Sequence, residues 1–216
     1  MTKAYTSNAA NSVICYEAPT KGNSLVENGY YKAATLHCER TTDEDGLSLE
    51  VYTNLLGQKV LERRYGDNDT YYVYNIFGEL RFVLPPSYQD GGMVEDAAYE
   101  YRYDDRGRMT YKKIPGKEHE AYWYDEGNRV AKMQDGVLRS KGQYRFTLYD
   151  NTSRVCLQGT CATFDIDGRS ATVCFSTDQN GICGTGYSLA GAGTLANPTL
   201  ELANYYDDYN CLSSSL

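Results

Sequence analysis

An all-β chain assembled from successive hairpins is the fold class this sequence predicts, and two observations carry the prediction. The first is a repeat: one tyrosine-centred template recurs five times. The second is that each copy alternates like a strand and then presents the residues of a tight turn. The full form is Tyr101-Arg102-Tyr103-Asp104-Asp105-Arg106-Gly107-Arg108-Met109, an aromatic pair two apart, an acid, two free positions, a glycine, an arginine and an apolar residue. Asp104 stands where a type I turn uses a side-chain acceptor, and Gly107 where a three-residue hairpin loop needs a left-handed residue and a bulge. In Glu100-Tyr101-Arg102-Tyr103 the tyrosines fall on one face and the charges on the other, so the tyrosine face is expected to be the buried one.

Taken in order, residues 1–40 read as a loosely ordered segment or an edge strand, with turns at Asn23-Ser24 and Glu27-Asn28-Gly29. Residues 41–160 hold the repeat array. Its first copies are loose, Thr53-Asn54-Leu55-Leu56-Gly57-Gln58 and then Tyr72-Val73-Tyr74-Asn75-Ile76-Phe77-Gly78-Glu79-Leu80. Pro85-Pro86 and Gln89-Asp90-Gly91-Gly92 interrupt the array as a surface loop before the one short helix expected, Val94 to Ala98. After the full copy come Tyr122-Trp123-Tyr124-Asp125-Glu126-Gly127-Asn128-Arg129-Val130, with Asn128 in the glycine position, and Leu148-Tyr149-Asp150-Asn151-Thr152-Ser153-Arg154-Val155, with Ser153 there. Asparagine tolerates the left-handed region better than serine, so the fifth turn is the weaker. Residues 161–216 form a Cys/Gly-rich segment in which Phe164-Asp165-Ile166-Asp167-Gly168-Arg169 keeps the template, and Tyr205-Tyr206-Asp207-Asp208 opens a repeat that the chain stops before completing.

These residues resemble the YD repeat, and the chain is similar to a piece of an RHS/YD-repeat protein of the bacterial cell surface. The likeness is best from Thr70 to Gly159, including Tyr71-Tyr72-Val73-Tyr74 with Leu84-Pro85-Pro86, and Tyr122-Trp123-Tyr124-Asp125 with Gln134-Asp135-Gly136. The resemblance implies hairpins wound into a twisted, spiralling strip, a partial hollow shell, of the kind found in teneurins and in one component of insecticidal toxin complexes. It implies a cell-surface or secreted location, although no hydrophobic signal core occupies the first twenty residues. The proline-rich core segment, the Asp-Pro bond and the toxin domain of the toxin-bearing members have no counterpart in the sequence. The repeat residues Tyr72, Tyr74, Gly78, Tyr101, Tyr103, Asp104, Gly107, Arg108, Tyr122, Tyr124, Asp125, Asn128, Arg129, Tyr149, Asp150 and Arg154 are accordingly read as structural.

Composition restricts the partners. The 21 Lys plus Arg against 29 Asp plus Glu leave a net charge of −8, and Arg63-Arg64 and Lys112-Lys113 are the only basic pairs in the array, so a nucleic-acid role is not expected. No run of apolar residues approaches a membrane span. The seven cysteines contain no Cys-x-x-Cys and cannot all pair with one another, which leaves buried thiols or partial disulfide pairing and argues against zinc. Partners are expected to be further repeats of a parent chain, or a second copy, joined through strand edges.

Catalytic readings are weak. Gly186-Tyr187-Ser188-Leu189-Ala190-Gly191 nearly matches a nucleophile elbow, but no histidine follows Ser188. Asp104-Asp105 and Asp165-x-Asp167 could be paired carboxylates, and Asp43-Glu44-Asp45-Gly46 and Asp178-Gln179-Asn180-Gly181 hint at calcium; turn capping explains all four better. No catalytic residue, metal or cofactor is therefore expected. Exposed tyrosines could stack on sugar rings, which makes a carbohydrate-binding module the main alternative to a structural role. Arg108, Arg129 and Arg154 are expected to bond carbonyls or carboxylates of the adjacent hairpin.

Overall fold

A computed structural model of the chain describes residues 1–19, 24–65, 68–91, 94–165, 169–176, 180–191 and 193–206. The chain is all-β and divides into two compact units, Met1–Lys117 and Glu118–Leu216. The boundary falls inside the repeat array.

The first unit contains β1 (Thr2–Ser7), β2 (Ile14–Glu17), β3 (Val26–Tyr30), β4 (His37–Thr42), β5 (Ser48–Thr53), β6 (Lys59–Arg64), β7 (Asn68–Tyr74), β8 (Leu80–Leu84), β9 (Tyr99–Tyr103) and β10 (Met109–Lys113). Eight of them run antiparallel in the order β1-β4-β5-β6-β7-β8-β9-β10. Each neighbour pair after β4 is consecutive in sequence, because each is a hairpin or a short return. The remaining pair, β2–β3, is an excursion between β1 and β4 that lies over one sheet face. Val13, Ile14, Tyr16, Leu25 and Tyr31 from this excursion pack on Cys38, Tyr52, Leu61, Tyr71, Val73, Phe82 and Leu84 of the sheet. Leu61, Phe82 and Leu84 are fully enclosed, each contributing about 1.5–3 kcal/mol of hydrophobic stabilisation. Asn8 pins the excursion's ends, its side chain donating to the Lys32 carbonyl at 2.9 Å and accepting from the Thr35 and Leu36 amides at 3.0 and 2.9 Å.

Residues 1–40, expected as a loosely ordered segment or an edge strand, hold β1, β2, β3 and the start of β4 with turns between them, and β1 is the outer strand of its sheet. The excursion lies over a sheet face, and among the described residues no strand pairs with the outer edge of β1.

The second unit contains β11 (Glu120–Tyr124), β12 (Val130–Gln134), β13 (Tyr144–Tyr149), β14 (Val155–Cys161), β15 (Thr163–Asp165), β16 (Val173–Phe175), β17 (Tyr187–Leu189), β18 (Thr194–Ala196) and β19 (Thr199–Ala203). Its sheet order is β11-β12-β13-β14-β19. Again the last pair encloses an excursion, in which β15 pairs with β18 and β16 with β17. Phe164, Ala171, Val173 and Tyr187 from it close a core with Ala131, Phe146, Leu148 and Leu157. Gly159 lies under the Phe146 ring, where an added Cβ would come within 2.1 Å of the Thr199 carbonyl oxygen; a residue with no side chain lets β19 approach at that point.

Three short helices occur among the described residues, α1 (Pro86–Gln89), α2 (Val94–Ala97) and α3 (Gly136–Ser140); α2 falls where the one short helix was expected, and α1 and α3 are additional. Pro86 begins α1 because its fixed φ suits a first turn, and Asp135 caps α3 by accepting from the Leu138 amide at 2.8 Å. They fill the two long steps of the repeat, Tyr74 to Tyr103 and Tyr124 to Tyr149. No helix among the described residues is long and apolar enough to cross a membrane.

Candidate functional site

The five template copies are the hairpin ends of β5–β6, β7–β8, β9–β10, β11–β12 and β13–β14, and they share one hydrogen-bond network. A sixth turn, Asp43–Leu47 between β4 and β5, has it too. In all six the first residue's amide donates to the fifth residue's carbonyl at 2.9–3.0 Å, and the fourth residue's amide returns to the first carbonyl. The first residue's Oδ1 accepts from amides ahead of it: Asp104 from Arg106 and Arg108 at 2.9 and 3.0 Å, Asn75 from Phe77 and Glu79 at 3.0 Å each, Asp150 from Thr152 and Arg154 at 2.9 and 2.8 Å. The fourth residue is left-handed throughout, Gly46, Gly57, Gly78, Gly107, Asn128 and Ser153 having φ from 63° to 81°, a region where glycine meets no steric penalty.

In the five template copies, though not in Asp43–Leu47, whose fifth side chain is apolar, the first and fifth side chains are matched in polarity. Where the first residue is Asp, an acceptor only, the fifth is a donor: Arg108 Nε to Asp104 at 2.7 Å, Arg129 Nη2 to Asp125 at 2.6 Å, Arg154 Nε to Asp150 at 2.6 Å. Where it is Asn, the fifth is an acceptor: Asn54 Nδ2 donates to Gln58 at 2.7 Å and Asn75 Nδ2 to Glu79 at 2.7 Å. Burial works against ionisation of Asp150, but the Arg154 amide and guanidinium and the Thr152 amide and hydroxyl outweigh it, holding the carboxyl down at about 2. Asp104 and Asp125 are lowered likewise, against burial, by the amide and guanidinium of Arg108 and of Arg129.

This geometry adds a bond within the turn to the role expected of the arginines. Arg108, Arg129 and Arg154 each close their own turn; Arg129 also reaches the next hairpin, at the Asp150 carbonyl (3.3 Å) and Ser153 hydroxyl (3.2 Å). The regular link between hairpins is the tyrosine that precedes the turn. Tyr74 donates its phenol to the Lys59 carbonyl at 3.2 Å, Tyr103 to Leu80 at 3.1 Å and Tyr149 to Val130 at 2.7 Å. Each acceptor is the residue just after the preceding turn.

The buried face also departs from expectation. Tyr72, Tyr74, Tyr101, Tyr103, Tyr122 and Tyr124 are half-buried and lie opposite the cores, because the alternate residues, such as Tyr71 and Val73, are the ones the excursion covers. In β9 the core-side positions carry Glu100 and Arg102, paired at 2.7 Å. The same face of the first unit holds a row of ion pairs, Arg40 with Glu50 and Arg63 with Asp69 at 2.7 Å. Arg63 Nη2 donates to the Ser12 carbonyl at 3.2 Å and Arg81 Nη1 to that of Pro19 at 2.7 Å, tying the excursion down. Burial and the neighbouring Asp69 push the Tyr71 phenol up to about 12. Sequence reasoning missed this row, since Arg63-Arg64 reads as a basic pair until the register puts Asp69 opposite Arg63.

The catalytic candidates do not assemble. Ser188 lies inside β17 opposite Cys174, in extended backbone where an elbow would need a sharp turn. Asp165 pairs with Arg169 at 2.6 Å; Asp167, Asp178 and Gln179 lie outside the described residues. No group of three or more potential metal ligands occurs among the described residues. Cys15, Cys38, Cys156, Cys161, Cys174 and Cys183 are free, and Cys211 lies outside the described residues. Burial pushes the Cys156 thiol up and that of Cys161 to about 11, which suppresses thiolate formation. A pocket of ≈ 290 Å³ in the second unit is lined by Asp150, Arg154, Cys156, Phe175, Tyr187 and Tyr206. Its charged pair is engaged in the turn, and Arg154 lies over the Tyr206 ring at 4.3 Å. No protein-family model matches the chain, and no curated protein is similar to it.

Proposed function

We propose that the chain is a non-enzymatic structural and interaction segment of RHS/YD-repeat type, part of a larger bacterial surface or secreted protein. The supporting observation is the shared turn: six turns with one network, with successive hairpins joined at three places by phenols that the template itself supplies. Such an arrangement uses its polar residues to join hairpins, which is what a wall requires. Further repeats of a parent chain, or a second copy, would join through strand edges such as that of β1. A wall of a toxin-enclosing shell is the same architecture with different flanks.

A carbohydrate-binding module is the competing reading, favoured by the half-exposed rings of Tyr72 and Tyr101. A glycan array followed by calorimetry separates the two. The wall reading expects no saturable binding; a hit abolished by Tyr72→Ala or Tyr101→Ala, with melting unchanged, overturns it.

A further inference from the structure

Turn tips in water ordinarily carry polar residues, because their side chains point away from any core. Four of the six turns obey this at their second and third positions: Glu44-Asp45, Asp105-Arg106, Glu126-Gly127 and Asn151-Thr152. The other two do not. The β5–β6 tip carries Leu55 and Leu56, 94% and 82% exposed, and the β7–β8 tip carries Ile76 and Phe77, 84% and 74% exposed. Nothing in the turn requires this, since the second and third positions of a type I turn accept most residues.

The two tips are neighbours. They lie at the same end of adjacent antiparallel hairpins, about 10 Å apart from the strand spacing, and Gln58 Nε2 of one donates to the Gly78 carbonyl of the other at 3.4 Å. Four large apolar side chains therefore project together from one end of the sheet. Around them stand Asn54, Gln58, Asn75 and Glu79, bonded within their turns, and Lys59, which pairs with Glu62 at 2.8 Å.

We propose that these two tips insert into the interfacial region of a lipid bilayer, holding the first unit against a membrane surface without spanning it. The shape favours a bilayer over a protein partner. The patch is convex, and four side chains at about 150 Å² each fall short of the ~800 Å² per partner that a stable protein interface buries. A bilayer needs neither a matching cleft nor that area, since each apolar side chain entering it contributes separately. Lys59 beside the tips is paired with Glu62, the neighbouring β9–β10 tip carries Asp105 beside Arg106, and the chain is acidic, so zwitterionic lipid is sufficient.

The test is flotation of the full chain with phosphatidylcholine vesicles, with and without a fraction of phosphatidylserine, at low and high salt. The expected result is partition onto plain phosphatidylcholine that phosphatidylserine does not strengthen and salt does not weaken. Leu55→Asn with Leu56→Asn, and separately Ile76→Asn with Phe77→Asn, should each lower the partition coefficient at least about tenfold. Polar tips already occur on the other four turns, so both variants should fold, and melting curves check this. Phe77→Trp supplies a second readout: its emission should shift to the blue on adding vesicles and be quenched by brominated acyl chains. A chain that stays unbound at millimolar lipid, binding that the asparagine variants retain, or binding that needs phosphatidylserine overturns the proposal. So does self-association in light scattering that the asparagine variants abolish, which would assign the tips to a second copy.

Discussion

Asp104→Asn changes one oxygen to an amide nitrogen at nearly constant shape, and the turn network determines its effect. Oδ1 still accepts from the Arg106 and Arg108 amides, but the group facing Arg108 Nε at 2.7 Å becomes a donor opposite a donor. A charge-assisted bond of this kind contributes about 1.5–3 kcal/mol when sheltered. With the two side chains 24% and 23% exposed, solvent screening reduces the expected loss to about 1–2 kcal/mol. Adding Arg108→Gln should recover about 1 kcal/mol, because it recreates the Asn54–Gln58 pairing found two hairpins earlier. The assay is a double-mutant cycle by urea denaturation, with melting temperature as a check at about 2–4 °C per kcal/mol for a chain of this size. A coupling energy near zero, the double variant being as unstable as the sum of the singles, would refute the idea that the first and fifth side chains are matched in polarity.

Tyr103→Phe removes the phenol that reaches the Leu80 carbonyl at 3.1 Å and should cost about 1 kcal/mol in the same denaturation assay; an unchanged midpoint would remove the tyrosines from the linkage between hairpins. Gly159→Ala should cost about 3 kcal/mol or prevent folding of the second unit, since the methyl group would meet a backbone oxygen at 2.1 Å; calorimetry showing an intact transition would contradict the β14–β19 register. Asp104, Asp125 and Asp150 have lowered carboxyl pKa values when folded. Their contribution is complete above the unfolded value near 4 and is lost as pH falls through the folded value, about 2 for Asp150. Melting temperature should therefore fall between about pH 5 and pH 2, and Asp150→Asn should flatten that slope.

The hairpins were legible because their signal is local. Tyr103, Asp104, Gly107 and Arg108 stand within six residues, and each has a conformational job that the sequence states directly. Which face is buried was not legible, for a reason visible in β7: Tyr71, Tyr72, Val73 and Tyr74 are all large, and only the arrival of the β2–β3 excursion decides that Tyr71 and Val73 go inside. The same holds for Arg63, whose partner Asp69 is supplied by strand pairing. The Asp43–Leu47 turn was legible as a hairpin tip through Asp43-x-x-Gly46, yet its kinship with the five copies was hidden because Leu47 supplies no side-chain partner. The donor and acceptor matching needed coordinates, since Asn75 with Glu79 and Asp104 with Arg108 share no residue type.

The two excursions bear on the order in which the molecule assembles. Every strand pair from β4 to β10, and from β11 to β14, joins chain neighbours, whereas β1 must find β4 and β19 must find β14 across long intervening segments. Closing a loop of that size costs about 2 kcal/mol more than closing a tight turn, and contacts distant in sequence form slowly. The central hairpins should zip first, with the terminal strands docking last and fraying first. Amide hydrogen exchange would then be fastest at β1 and β19 and slowest around Phe82 and Phe146, so that β1 and β19 are the strands freest to trade partners.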